Sequence, residues 1–171
     1  IKEIKEPRQL FLKVLHRYPE TFKWMDDETY LKFMYRIALG KKLDLNNPKT
    51  FNEKLQWYKL NDFPNNPLVV QGADKYRVRD YVENKGLGKY LTNLLGSWDD
   101  AREIEWDKLP NEFVLKCNHG CAYNILCSNK KEFDLKQATN QLNKWMKEDF
   151  GAYNIEIHYS KIQPRKIICE E

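Results

Sequence analysis

No apolar run in the 171 residues approaches the ~20 consecutive residues that a bilayer-spanning helix needs. No signal-peptide pattern is visible either. Nor is there a basic stripe. The longest runs of positive charge are pairs such as Lys41-Lys42 and Lys130-Lys131, and the 29 basic and 25 acidic side chains are interleaved. A nucleic-acid binder clusters its cations on one face, so that class is set aside. The net charge of +4 still attracts an anionic ligand. Repeats, low-complexity tracts, an Asp-x-Asp metal motif and a strand–Gly-rich-turn–helix dinucleotide unit are all missing. Cysteine is scarce, with Cys117, Cys121, Cys127 and Cys169 in the last third. A disulfide-stapled secreted domain spreads its cysteines more widely in a smaller chain, so a reducing cytoplasm is expected. Cys117, His119 and Cys121 alternate and would converge on an extended strand. A zinc site needs a second ligand pair at a distance, and none is present, so no metal ligand is assigned.

What is present is a core-forming composition, 42% hydrophobic and 13% aromatic. Leu10, Phe11, Val14, Leu15 and Tyr18 recur at helical spacing up to Pro19. Asp26-Asp27-Glu28 opens a second helix with Leu31, Met34 and Ala38 on one face, and Gly40 with Lys41-Lys42 stops it. Thr50 and Glu53 form a capping box for a third helix, whose apolar face is Phe51, Leu55 and Tyr58. Residues 61–72 hold two prolines and several asparagines and read as a loop and a lobe boundary. Asp74 caps a fourth helix carrying Val78 and Val82, with Gly86 near its end.

Beyond Gly86 the period changes. Residues 90–95 are compatible with extended chain, Phe113 to Cys117 is a strong short strand, and Asn124 to Cys127 is another. Asp134 and Gln137 form a second capping box ahead of Leu135, Ala138, Leu142, Trp145 and Met146. A buried strand at Lys166 to Cys169 follows. The reading is α+β, with a helical region over 1–72 and a small mixed sheet with helices over 73–171. Because the chain opens on Ile1 and its last strand simply stops, it is expected to be a piece of a longer protein. Lone His16 and His158 suggest solvated side chains without a role.

The most informative feature is Lys116, which emerges at the end of an apolar strand where the loop 118–123 folds over. A phosphate needs such a cation, and a hairpin can present backbone amides to its oxygens. Phe113-Val114-Leu115-Lys116-Cys117-Asn118-His119-Gly120 resembles the signature of the TupA-like ATP-grasp family, linked to teichuronopeptide and other cell-surface polymer synthesis. Further segments match in order: Asn47 to Trp57, Asp74-Lys75-Tyr76 with Arg79-Asp80-Tyr81-Val82, Leu95 to Trp98, Leu109-Pro110, and Pro164 to Ile168. The resemblance spans residues 42–171.

This resemblance implies the first half of an ATP-grasp fold and a set of ATP contacts. Lys75 and Lys116 would serve the phosphates. The hairpin Asn118, His119, Gly120, Cys121, Ala122, Tyr123 and Asn124 would fold over them. Cys169, Glu170 and Glu171 would supply a hinge facing adenine. The implied activity is an ATP-dependent carboxylate–amine ligase whose acceptor is a sugar, uronic acid or amino acid of a surface polymer. It would act in the cytoplasm, at the inner face of the membrane. Mg²⁺ is expected only in the complete protein, because the metal-holding carboxylates of such enzymes fall in a second lobe beyond Glu171. This stretch alone is therefore expected to be inactive. One departure stands out: the family favours a glycine-rich turn after His-Gly, where this chain has Cys121-Ala122-Tyr123. A glycosyltransferase or accessory protein of polysaccharide assembly, and a vestigial interaction module, are the alternative expectations.

Overall fold

The computed structural model of the chain describes residues 24–171. The helix expected around Leu10 to Tyr18, and His16 within it, lie outside the described residues. Helix α1 (Asp27–Leu39) starts and stops where its end signals place it. Asp26 Oδ1 accepts from Thr29 N, and Gly40 closes the end at φ 68°, the left-handed conformation that glycine adopts without strain. Its buried stripe is Leu31 and Tyr35, whereas Ala38 is exposed. Helix α2 (Phe51–Asn61) carries the full capping box of Thr50 and Glu53. The face expected to be buried is open, however: Phe51 is 79% exposed and Tyr58 45%. Helical spacing identifies which residues share a face but not whether anything covers it.

Residues 61–72 are not a loop. A 3-10 turn (Phe63–Asn65) leads into α3 (Pro67–Ala73), whose cap is Asn66, with its side chain accepting from Leu68 N at 3.1 Å. Asparagine and proline, turn-forming in isolation, act here as N-cap and N1 residue. Helix α4 (Val78–Asn84) follows the turn that Asp74 initiates, and Gly86 ends that segment at φ 72°.

Strands β1 (Leu94–Trp98), β2 (Phe113–Cys117), β3 (Asn124–Cys127) and β4 (Ile167–Glu170) form an antiparallel sheet in the order β1-β4-β2-β3. The extended stretch expected at 90–95 lies further on, because residues 88–90 form a 3-10 turn. Period-two alternation divides β2: Phe113, Leu115 and Cys117 enter the core, while Val114 and Lys116 face the other side. Helix α5 (Leu135–Lys147) covers the core face with Leu142, and Asp134 caps it by accepting from Gln137 N at 2.8 Å. Ala101, Ile104, Leu109, Ile167 and Cys169 complete this core. Burial pushes the Cys117 and Cys169 thiols up to about 12, as expected of cysteines packed as small apolar groups.

A second core joins Leu31, Tyr35, Leu43 and Leu45 to Ile155, which follows α6 (Phe150–Asn154). The helical excursion of α6 and α7 (Ile157–Ser160) thus returns to the N-terminal helices. Lys59 pairs with Glu156 at 3.0 Å, and Phe63 meets the His158 ring edge-on. His158 is therefore not solvated. It is buried, and desolvation lowers its pKa.

Candidate functional site

Lys116 and Glu170 meet on the face of the sheet opposite α5. The register of β2 against β4 sets Val114 opposite Glu170 and Lys116 opposite Ile168. Lys116 and Glu170 are thus diagonal neighbours on one face, within reach of a long side chain. Lys116 Nζ donates to Glu170 Oε2, and Arg79 of α4 donates to Glu170 Oε1 at 2.8 Å. Arg79 also donates to Thr92 O at 2.6 Å. Burial raises the Glu170 carboxyl, but hydrogen bonding and attraction from Lys116, with Thr92 and Arg79 adding to them, hold it below its ordinary value.

Lys75 lies beneath the hairpin. Its Nζ donates to Cys117 O at 3.3 Å and to Gly120 O, and its backbone N donates to Asn118 O at 3.3 Å. Burial lowers its pKa and the nearby Lys116 charge acts in the same direction, against the influence of Cys121 and Cys117. The two lysines therefore approach the loop 118–123 from the turn ahead of α4 and from β2.

The hairpin residues divide into a buried root and an exposed crest. Asn118 is wholly buried. Its Nδ2 donates to Asp74 Oδ1 at 3.0 Å and to Pro164 O at 3.2 Å, and its Oδ1 accepts from Lys166 N at 2.7 Å. This side chain bolts the end of β2 to the α4 turn and to the approach to β4. His119 is also buried, with Nε2 3.0 Å from Trp145 O, so that this nitrogen carries the proton and donates. Burial and the Arg165 charge lower its pKa, leaving it neutral. Gly120 is buried, while Cys121, Ala122 and Asn124 are exposed. Cys121 Sγ lies 3.2 Å from Tyr159 Oη.

Tyr123 does not reach over the sheet face as a ligand-stacking ring would. It stacks on Trp145 at 5.1 Å between ring centres, and its hydroxyl donates to Glu148 Oε2 at 2.6 Å. Ala122 carries φ 58°, where a glycine would be unstrained.

At the far end of the sheet, Cys169 is buried and Glu171 is exposed, its N donating to Asn93 O at 3.1 Å. Strand β4 lies between β1 and β2, so it is an interior strand and not the edge that an adenine-facing hinge suggests. Among the described residues no group of three or more His, Cys, Asp or Glu converges to hold a metal.

Sequence reasoning placed Arg79 and Asp74 in the resembling segments but gave neither a site role. Arg79 lies in the first turn of α4, four residues after Lys75 in the turn ahead of it. Asp74 was recognisable as a cap, and it accepts from Tyr76 N at 2.9 Å and Arg77 N at 3.2 Å. Its bond to Asn118, 44 positions away, was not.

Two lysines, one on β2 and one in the turn ahead of α4, thus lie about the 118–123 hairpin, with the Glu170 carboxylate beside Lys116. Residues 53–171 match the family described as TupA-like ATPgrasp, and the chain belongs to it. ATP binding is the property that membership implies. The match begins at Glu53 of the capping box, so Asn47 to Asn52 of the resembling segments fall outside it. Comparison with curated proteins and with solved structures returned no match. Among the described residues no helix is long and apolar enough to cross a membrane.

Proposed function

We propose that residues 73–171 form the first nucleotide-binding lobe of an ATP-dependent ligase, with residues 1–72 as a helical region beside it. Lys116 carries the reading. It is the lysine of the signature strand, it stands on the sheet face opposite α5, and 30% of its side chain is solvent-accessible. In this reading Lys116 and Lys75 bind the phosphates, the crest Cys121-Ala122 with Tyr123 and Asn124 closes over them, and Asn118, His119 and Gly120 hold the crest in place. The main chain of Cys169, Glu170 and Glu171 leads toward the base. A carboxylate activated by phosphorylation and attacked by an amine is the chemistry such a site serves. The acceptor would be a sugar, uronic acid or amino acid of a surface polymer, handled on the cytoplasmic side of the membrane. Mg²⁺ would accompany ATP, and no residue of 73–171 is assigned to it.

Calorimetry with ATP and Mg²⁺ tests this. Lys116→Ala should weaken ATP binding by about tenfold or more, the loss expected for one charge-assisted contact. Unchanged affinity in that variant would remove Lys116 from the site.

A further inference from the structure

Glu170 has two cations and uses one oxygen for each. Arg79 Nη1 holds Oε1 at 2.8 Å and Lys116 Nζ holds Oε2. The carboxylate side chain is 9% exposed and that of Arg79 12%, against 30% for Lys116. Arg79 is fixed at a second point, with Nη2 on Thr92 O. Lys116 is therefore the outer and more flexible partner, and Arg79 the inner and better anchored one.

This asymmetry has an electrostatic consequence. A Lys116–Glu170 pair alone is neutral, and pulling the lysine away would leave a nearly buried carboxylate without a counter-charge, the most costly way to break such a pair. With Arg79 in place the trio carries a net positive charge, and Glu170 keeps a partner when Lys116 departs. Lys75 does not supply this charge balance, since its ammonium group is directed to the carbonyls of Cys117 and Gly120.

Resting on the ATP-site reading above, we infer that Arg79 is a positioning residue: by retaining Glu170 it releases Lys116 to exchange the carboxylate for a phosphate oxygen of ATP. Arg79 does not touch the nucleotide. Its influence is confined to the phosphate-dependent part of binding. The carboxylate is the competitor, so removing it should make Arg79 dispensable.

The test compares wild type, Arg79→Met, Glu170→Gln, the double variant and Arg79→Lys, titrating each chain with ATP·Mg²⁺ and with adenosine. Arg79→Met should weaken ATP about tenfold, the loss of one charge-assisted interaction, and leave adenosine unchanged. Adding Glu170→Gln to it should restore ATP affinity to within a few-fold of wild type, and Arg79→Lys should keep most of it. A double variant as weak as Arg79→Met, or equal losses for ATP and adenosine, would overturn the inference by showing a merely structural role. If Arg79→Met does not fold, Arg79→Gln takes its place in the same series, and equal losses for ATP and adenosine overturn the inference. Wild-type chain that binds no ATP would overturn the site reading itself, a result separate from binding that is indifferent to Arg79.

Discussion

The ring of Tyr123 lies so close to Gly120 that a Cβ at position 120 would come within 2.6 Å of Tyr123 Cδ2 and 3.2 Å of Phe150 Cβ. The glycine of the signature thus serves, in this chain, the packing of the hairpin's own tyrosine. Tyr123 is stacked on Trp145, meets Phe150 edge-on at 5.6 Å and is tied to Glu148, so its ring has little freedom to retreat.

Gly120→Ala is expected to destabilise the chain by about 1–3 kcal/mol, the usual cost of overpacking a fixed site. Denaturant unfolding followed by Trp fluorescence measures it. A loss below a few tenths would show that the Tyr123 ring moves easily.

Ala122 is the reverse case. At φ 58° its Cβ crowds the following carbonyl, and it faces solvent, so no packing offsets the strain. Ala122→Gly should raise stability by roughly 0.5–1 kcal/mol, part of the relief being lost to the freer unfolded chain. A fall in melting temperature would contradict this.

The Glu170 cluster predicts an acid-side signature. Its folded pKa lies below the ordinary 4.5, so the stability it supplies is fully present above that value and is lost as pH falls through the lowered one. Glu170→Gln should flatten the decline in melting temperature below pH 4.5 relative to wild type. Parallel wild-type and variant curves over that window would show that the carboxylate titrates alike in both states.

Local chemistry is legible in the amino-acid sequence. The Thr50–Glu53 box, the Asp26 and Gly40 ends of α1, the alternation of β2 and the pattern of α5 are all decided by residues a few positions apart. Signals that depend on what lies opposite are less legible. The asparagines and prolines of 61–72 suggest a loop and are in fact caps, because a cap and a turn use the same side-chain oxygen and differ only in whether a helix follows. Phe51 and Tyr58 suggest a buried face, yet no part of the described chain covers it enough to bury them.

The sequence by itself determined the well-capped helices, the strand β2, the order of the motifs and the presence of a lysine on an apolar strand. Family membership rests on the match over residues 53–171. The tertiary structure decided the partners. Antiparallel pairing of β2 with β4 brings Lys116 to Glu170, 54 positions apart, and α4 adds Arg79 from 91 positions away. Asn118 becomes a buried bolt between segments far apart in the chain, and Tyr123 packs toward α5. The reason is physical: spacing within one element is set by backbone geometry, whereas charge pairing and burial depend on which distant segments the sheet brings together.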